Sequence, residues 1–207
     1  MYARSTTTRG TLGSVDDVIA FARDEVWPAF QEMEGCVGFS MVVDRETGHC
    51  IATSAWRDQQ SMRASADRVQ SMRQGGTERF GMGEPEVQEW EIAVLHRDHP
   101  AGDGACARLT WVRTDPGRVD QLLDMYRTSL MPRIQQMPGF CSASLLVDRD
   151  SGRAVGTTTF HSRDDLEATR EQSRSFRDES VRTTGVDVLD VAEMDLVVAH
   201  LRVPETV

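Results

Sequence analysis

The sequence of 207 residues predicts an α+β fold in which two ferredoxin-like repeats, each with the element order βαββαβ, follow one another in a single chain. Three observations predict this fold. The chain aligns with itself, strand-type and helix-type hydrophobic patterns recur in the same order in both copies, and a segment rich in proline and glycine separates the copies.

The repeat is clearest at Val43–Gly48 (VDRETG), which matches Val147–Gly152 (VDRDSG). The two copies align without a gap over most of their length, so we interpret the match as a duplication. Each copy has the size of a small domain. We therefore predict one repeat at residues 1–97, a linker at residues 98–104 and a second repeat at residues 105–207.

The first strand and the first helix can be predicted in both copies. Residues 3–9 and 107–113 are rich in β-branched and apolar residues, which favour a strand. Apolar residues at helical spacing follow, and Ser14 is placed to cap the helix of the first copy. Pro28 and Pro132 fall inside these helices. Because an interior proline removes a backbone hydrogen bond, we expect a bend at each of them.

The remaining elements of each copy are a hairpin, a polar helix and a last strand. The first copy predicts strands at 37–43 and 51–56 around a turn at 44–48, then a helix at 58–74 and a strand at 87–96. The second copy predicts strands at 141–147 and 155–160 around a turn at 148–152, then a helix at 163–177 and a strand at 191–200.

Two further patterns concern loops and charges. Gly75-Gly76 and Gly81–Gly83 predict a flexible loop after the polar helix of the first copy. Arg9 and Glu89 lie on the first and last strands, and the same pair of residue types recurs in the second copy. Because these strands are neighbours in the predicted fold, we expect cross-strand ion pairs.

The packing of the repeats follows from the shape of one repeat. A four-stranded sheet with two helices on one face leaves its other face uncovered. We therefore predict that the two copies pack as a pseudo-twofold pair within the chain. Two independent domains on a linker are the alternative, and a further homodimer of the whole chain is an additional expectation.

Composition narrows the classes of partner and chemistry. The net charge of -10 and the pI of about 5.0 argue against binding to a nucleic acid backbone. The sequence contains no lysine, which excludes Schiff-base chemistry on a lysine. No apolar run approaches the roughly 20 residues that span a membrane. Four cysteines without a CxxC pair and an N-terminus without an apolar segment lead us to expect a cytoplasmic protein.

One run of residues resembles a known family. It comprises Pro138-Gly139-Phe140, an alternating strand, the turn at Asp148–Gly152, a strand ending in an aromatic residue, and Ser162–Leu166 opening a helix. Together with the matching run from Glu34 to Asp58, it resembles the antibiotic biosynthesis monooxygenase (ABM-like) family. The resemblance implies the dimeric α/β-barrel fold, here formed within one chain.

The resemblance implies two activities. One is the oxidation of a small aromatic substrate of the polyphenol or hydroquinone type without a tightly bound cofactor. The other is oxidative haem degradation, for which the related branch uses an Asn on the first strand and a Trp and a His on the second helix. Thr6 and Thr110 occupy the Asn place, and the helices at 58–74 and 163–177 contain no His or Trp. These departures disfavour haem degradation.

The first activity has an alternative from another class, a non-catalytic small-molecule-binding or stress-response module on the same fold. Aromatic side chains could form the wall of a ring pocket or simply pack in the core. Threonines could hydrogen-bond a phenol or face solvent, and histidines could act as a general base or end a strand. No catalytic residue and no metal site is assigned. The ligand-binding candidates are Thr6, Trp56, Trp90, His96, Thr110, Trp111, Phe160 and His200.

Overall fold

The computed structural model describes residues 1–201 and contains the eight strands that the two repeats predict. The strands are β1 (Tyr2–Arg9), β2 (Cys36–Asp44), β3 (His49–Trp56), β4 (Glu86–Arg97), β5 (Cys106–Arg113), β6 (Phe140–Asp148), β7 (Arg153–Phe160) and β8 (Asp187–Leu201). They form a closed antiparallel barrel in the order β1-β3-β2-β8-β5-β7-β6-β4. The predicted α+β fold of tandem ferredoxin-like repeats is confirmed.

The helices also come in two matching sets. The α-helices of the first repeat are α1 (Val15–Phe21), α2 (Trp27–Gln31), α3 (Gln59–Ala64) and α4 (Ala66–Phe80). Those of the second repeat are α5 (Val119–Met125), α6 (Met131–Ile134), α7 (Arg163–Ala168) and α8 (Arg170–Thr184). Among residues 1–201, no helix is both long enough and apolar enough to cross a membrane.

The chain divides into two compact units. The first unit contains Met1–Trp90 and the described chain from Asp195 onward, and the second unit contains Glu91–Met194. In the first unit, the end of β8 pairs with β2, and in the second unit, the end of β4 pairs with β6. Each unit is therefore completed by the end of the other repeat's last strand. The sequence repeats at 1–97 and 105–207 remain a proposal about how the chain was duplicated.

Each first helix is interrupted before its proline. A π-helical turn at Ala22–Val26 follows α1, and the N–H of Trp27 donates to the carbonyl of Ala22. Pro28 then occupies the second position of α2, where its missing N–H does least harm. The second repeat has the same turn at Tyr126–Leu130. The expected bend is thus a widened helical turn, which shifts the hydrogen-bond pattern ahead of the proline.

The second helical segment differs from its prediction. The structure has two consecutive helices, and α4 continues through Gly75 and Gly76 to a left-handed C-cap at Gly81, where φ is +59°. The predicted loop at Gly75-Gly76 is wrong. A glycine inside a helix costs roughly 1 kcal/mol relative to alanine, but tertiary packing can override that preference. A side chain at Gly76 would lie only 3.1 Å from Cε1 of Phe21, so the missing Cβ allows α4 to approach α1 closely.

The hairpin turns form as predicted. The carboxylate of Asp44 accepts hydrogen bonds from the backbone N–H groups of Glu46 (2.8 Å) and Thr47 (3.3 Å). Gly48 has a φ of +71°, and a Cβ there would collide with the carbonyl oxygen of Gly10. Gly152 occupies the same place in the second repeat, with a φ of +69°. Both turns therefore require glycine for its conformation and for the close approach of backbone.

Each unit has its own apolar core. The core of the first unit contains Phe30, Phe39, Met62 and the fully buried Trp56. The core of the second unit includes the fully buried Phe160 among its residues. Burying one large apolar side chain contributes about 1.5–3 kcal/mol, so these clusters supply much of the stability of each unit. The four cysteines are free thiols.

Candidate functional site

A pocket lies in each unit, between the sheet and the helices that cover it. Each pocket encloses a cavity of about 100 Å³. One ordered water needs roughly 10–15 Å³ of such a cavity. Each cavity can therefore hold several water-sized groups, such as the atoms of a single small ring, and it is smaller than the roughly 300–1,000 Å³ of most small-molecule sites.

Strand register builds the floor of the first pocket. Alternate residues of β1 face the pocket, and the register pairs Arg4 with Ser54, Thr6 with Ala52 and Thr8 with Cys50 across to β3. Successive side chains of a strand point to opposite faces, so one face of each strand supplies all of these groups. The small Ala52 at the centre leaves the space above it open.

The floor of the second pocket repeats this arrangement. Arg108 pairs with Thr158 and Thr110 pairs with Gly156 across β5 and β7. Gly156 takes the place of Ala52, so the centre of this floor is open as well. The two pocket floors therefore share the same strand pairing, with a small residue at the centre of each.

The walls of both pockets are apolar and come from equivalent positions. The walls of the first pocket include Phe21, Val26, Phe30, Met41, Met72 and Met82. Those of the second pocket include Met125, Leu130, Ile134, Leu145, Phe176 and Val186. Such walls exclude water from the body of a ligand and leave the few polar groups of the floor to orient it.

A buried arginine lies at one end of the first pocket. Arg4 is 5% exposed, and its Nε and Nη2 both donate to Oε1 of Glu89, at 3.1 and 2.7 Å. Nη2 also donates to the carbonyl oxygen of Met62 (2.8 Å), and Nη1 donates to Oγ of Ser65 (3.1 Å). These bonds join β1 to β4 and to the second helical segment, so Arg4 fixes the end of the pocket.

Arg108 holds the same position in the second pocket. Its Nε and Nη2 donate to Oε1 of Glu193 at 3.1 and 2.9 Å, and Nη2 donates to the carbonyl oxygen of Leu166 at 2.7 Å. Nη1 donates both to Oγ1 of Thr169 (3.0 Å) and to Oγ of Ser173. Ser173 corresponds to Val69 in the first repeat, and this exchange is one difference between the two arginine sites. The other is Arg170, which also binds Glu193 and has Ala66 as its equivalent.

A second arginine reaches each pocket from the covering helix. Arg73 on α4 lines the first pocket and Arg177 on α8 lines the second. Burial lowers the pKa of Arg73, and the nearby charge of Arg4 lowers it further. The pKa of Arg177 is lowered by burial first and by Arg108 next. Each pocket thus has two guanidinium groups that repel one another.

The sequence is 50% identical to two proteins of Mycobacterium tuberculosis strain H37Rv, Uncharacterized protein Rv2557 and Uncharacterized protein Rv2558. The matches cover all of this chain, with 92% of Rv2557 and 88% of Rv2558. The chain belongs to the family of Rv2557 and Rv2558. No family model matches its sequence.

Several solved structures have low sequence identity to this chain and show the same fold. A candidate monooxygenase from Lactobacillus acidophilus NCFM has a TM-score of 0.71 at 10% identity and covers 97% of this chain and 96% of its own. An anthrone oxidase-like protein has a TM-score of 0.68 at 15% identity, with coverages of 97% and 92%. A ferredoxin-fold protein from Listeria monocytogenes, related to antibiotic biosynthesis monooxygenases, has a TM-score of 0.55 at 8% identity, with coverages of 94% and 94%. The ABM-like barrel fold predicted from the sequence is therefore confirmed.

Two of the eight residues that the sequence proposed as ligand-binding candidates line the pockets. Thr6 lies in the floor of the first pocket and Thr110 in the floor of the second. Each is flanked on its strand by the buried arginine two residues earlier. The hydroxyl of a floor threonine can donate to or accept from a polar group of a bound ligand. The role of these threonines in binding stays a prediction.

Trp56 and Phe160 lie outside the pocket linings and support them from the core. Trp56 is fully buried, and its Nε1 donates to Oγ of Ser54 at 3.0 Å, which orients a floor residue. The guanidinium of Arg108 lies 5.6 Å from the ring centre of Phe160. These contacts fit core packing and positioning, the ordinary alternative for large aromatic residues.

Trp90 and Trp111 are directed away from the pockets. Nε1 of Trp90 donates to Oγ of Ser5 at 2.9 Å, and Ser5 lies between two pocket residues of β1. Trp111 likewise lies between Thr110 and Val112, which both line the second pocket. Because neighbouring strand residues alternate between faces, both tryptophans belong to the opposite face of the sheet.

The two candidate histidines also lie elsewhere. The His96 ring is stacked on Phe140 with 6.2 Å between centroids, and its Nε2 lies 2.5 Å from Nε2 of Gln135. The ring of His200 is stacked on Trp27 at 4.9 Å. Neither histidine is among the residues that line the two pockets.

The expected partners of Glu89 and Glu193 were wrong. Glu89 binds Arg4 rather than Arg9, and Glu193 binds Arg108 and Arg170 rather than Arg113. The strands are neighbours as expected, but Arg9 and Arg113 are exposed at the strand ends. The carboxylates pair with the buried arginines because leaving a buried charge unpaired costs far more free energy than leaving an exposed charge unpaired.

Sequence reasoning missed most residues of the two pocket linings, and Arg73, Arg177 and Tyr126 are among them. The two arginines occupy equivalent positions in the repeats, so comparing the polar helices of the two copies was the available signal. Tyr126 is buried in the wall of the second pocket, and burial raises its pKa. Its place in the first repeat is taken by Ala22, and no sequence pattern marked it. Among the described side chains, no group of three or more His, Cys, Asp or Glu is arranged to hold a metal ion.

Proposed function

We propose that this chain is an ABM-like monooxygenase that oxidises a small aromatic substrate of the polyphenol or hydroquinone type in its two pockets, without a tightly bound cofactor. The observation that carries the proposal is the pair of matching pockets. Each has apolar walls over a floor with a central threonine, Thr6 or Thr110, beside the small Ala52 or Gly156. An aromatic ring fits such walls, and the hydroxyl can hydrogen-bond its phenolic oxygen.

The reaction needs little from the protein. A phenol with a free carbon para to its hydroxyl, such as the enol form of an anthrone, reacts with dioxygen to give the quinone and one water. A hydroquinone with a free ring carbon reacts in the same way to give the hydroxyquinone and one water. One oxygen atom enters the ring carbon, the other leaves as water, and the substrate supplies all four electrons. The pocket has to exclude water, hold the ring and stabilise negative charge on the phenolic oxygen as its proton leaves. The likeness of the fold to an anthrone oxidase-like protein supports this reaction class.

A binding role without catalysis is the second candidate. It is favoured by the absence of His, Asp and Glu among the described residues that line the pockets, so no ordinary general base is present there. Cys50 lines the first pocket, but burial raises its pKa to about 11, which keeps the thiol protonated at neutral pH. Under the monooxygenase proposal, the phenol loses its proton to solvent at the pocket mouth, before its ring displaces water from the pocket.

Oxygen uptake tests the proposal and separates the two candidates. The purified chain is mixed with a panel of hydroquinones and anthrones in an oxygen electrode, and quinone formation is followed by absorption. We expect uptake above the uncatalysed rate, with one dioxygen consumed for each quinone formed. Tight binding of a panel compound with no uptake would favour the binding role instead.

A pocket-filling variant connects that activity to the site. Ala52→Leu combined with Gly156→Leu places a branched side chain over the centre of each floor, where we expect it to abolish uptake by blocking the ring. Thr53→Val is the matched control, because Thr53 lies between two floor residues of β3 and belongs to the opposite face. Thermal unfolding of each variant shows whether it has folded. Full activity in a folded double variant would contradict the assignment of the pockets.

A further inference from the structure

The polar end of the first pocket has more positive than negative charge. Arg4 and Arg73 line it, and the carboxylate bound to Arg4 is that of Glu89. Glu89 neutralises one guanidinium, and its side chain is 42% exposed to solvent. One positive charge therefore remains inside an apolar pocket of a chain whose net charge is -10. Arg73 is partly buried, so its unpaired charge is partly desolvated, and a bound anion offsets that cost.

Hydrogen-bond donors at this end are also unused. Nη1 of Arg73 is buried and has no hydrogen-bond partner among the described residues. An arginine has five N–H groups, and the bonds of Arg4 engage one on Nε, two on Nη2 and one on Nη1. One Nη1–H of Arg4 thus remains for a ligand. Buried donors are nearly always paired, so these two groups indicate an acceptor that arrives from outside the chain.

The second pocket differs at this point. Ser173 accepts the remaining Nη1–H of Arg108, so all five N–H groups of this arginine are engaged within the protein. In the first repeat the equivalent residue is Val69, which cannot accept a hydrogen bond. The two pockets share their shape, but only the first has free donors on its strand arginine in the described structure.

We infer that the first pocket is selective for an aromatic carboxylate, whose carboxylate is bound by Arg73 and the free Nη1–H of Arg4 while its ring occupies the apolar walls. Two guanidinium groups with unpaired donors match the two oxygens of a carboxylate. The apolar walls provide no partner for a hydrated inorganic anion. This inference rests on the proposed function only in taking the pocket as the ligand site, and it names the charge that the ligand carries there.

Calorimetric titration with a matched pair of probes tests the inference. The probes are 2-naphthoate and its uncharged amide, 2-naphthamide, which have the same rings and cannot be oxidised to a quinone by the proposed route. We expect the carboxylate to bind the intact chain at least tenfold more tightly than the amide. Equal affinity for the two probes, or no binding of either, would overturn the inference. Oxygen uptake with neutral phenols tests the proposed function separately.

Variants assign the binding to the first pocket. Arg73→Gln should weaken 2-naphthoate binding at least tenfold and leave 2-naphthamide unaffected. Arg68→Gln is the matched control, because it removes the same charge from the same helix. Arg68 pairs with Glu32 at the surface, outside the pocket. Equal losses in the two variants would mean that only the overall charge matters, which contradicts a specific site.

Exchanging the residue that distinguishes the pockets gives a second test that does not remove an arginine. Val69→Ser supplies the acceptor that the second repeat has, so it should occupy the free N–H of Arg4 and weaken 2-naphthoate binding at the first pocket about threefold or more. Ser173→Val should free an N–H of Arg108 and strengthen binding at the second pocket. Changes in the opposite directions would overturn the inference, and thermal unfolding confirms that each variant has folded.

Discussion

At the scale of single residues, the pockets depend on side chains that are buried together with their partners. Arg4 and Arg108 are among the few charged residues that are nearly fully buried in the described chain, and each has a carboxylate partner and a backbone carbonyl partner. These bonds fix the strand residues Thr6 and Thr110 next to them. The chemistry that we propose for the threonine hydroxyls can be tested one atom at a time.

Thr6→Val combined with Thr110→Val removes the two hydroxyls and keeps the shape of the side chains. We expect the oxidation rate with a hydroquinone to fall about tenfold, because one hydrogen bond to the phenolic oxygen contributes about 1.4 kcal/mol to the transition state. Thr7→Val is the control, since Thr7 lies on the same strand and alternates to the other face. An unchanged rate in the folded double variant would remove the threonines from the mechanism.

Glu193 gives a pH-dependent test at the residue scale. Burial raises its pKa, but hydrogen bonds from Arg170 and Arg108 outweigh burial and hold the pKa below its ordinary value of 4.5. A depressed pKa in the folded state contributes stability that is present above pH 4.5 and is lost as the pH falls through the folded-state value. We therefore expect stability to decline in this acidic range.

Glu193→Gln should lower the free energy of unfolding at pH 7 by about 2 kcal/mol, because it leaves two guanidinium groups without their carboxylate. It should also flatten the decline of stability below pH 4.5. Glu89→Gln is the comparison, and it should cost less, because the side chain of Glu89 is 42% exposed and that of Glu193 is 19% exposed. Chemical denaturation at several pH values measures both effects. Equal losses would contradict the role that we assign to burial.

At the scale of elements, turns and helix interruptions explain where sequence prediction succeeded and failed. The hairpin at Asp44–Gly48 was predictable because its residue types satisfy a specific backbone geometry. The extension of α4 through Gly75-Gly76 was not, since the helix there is stabilised by contact with Phe21, which lies far away in the sequence. Local propensity decided the first case and tertiary packing decided the second.

Two glycine substitutions should change stability in opposite directions. Gly48→Ala should lower the free energy of unfolding by about 1–2 kcal/mol or more, because φ is +71° and the new Cβ meets the carbonyl of Gly10. Gly75→Ala should raise it by about 0.5–1 kcal/mol, because Gly75 lies in a helix with open space around its Cβ position. Urea denaturation of both variants checks the signs. Destabilisation by Gly75→Ala would contradict the helical assignment of this segment.

At the scale of the whole molecule, the repeat determined what the sequence could predict. Two copies of each pattern allowed the fold class, the order of elements and the family resemblance to be read without a structure. The pockets were predicted only in part, because Thr6 and Thr110 lie on a strand whose alternation is visible, whereas Arg73 and Arg177 reach the site from a helix. The tryptophans and histidines chosen for their chemistry lie outside the pockets, since ring area and strand-end position do not determine the face of a sheet.

The exchange of strand ends makes a prediction about the isolated first repeat. In the full chain, β2 pairs with the end of β8, and the end of β4 pairs with β6. Residues 1–97 alone lack β8 but retain the equivalent end of β4. We therefore expect this fragment to form a homodimer in which each copy supplies that strand end to the other. Light scattering after size-exclusion chromatography measures the mass, and a folded monomer would contradict the prediction.

The pockets are the central claim, and a crystal structure of the chain with a bound dihydroxyanthrone tests it most directly. Soaking is done without dioxygen, so that the compound remains unreacted. We predict ring density between the apolar walls of the pockets, with a phenolic oxygen within hydrogen-bond distance of Oγ1 of Thr6 or Thr110. Density at another place on the chain, with both pockets empty at saturating ligand, would contradict the account.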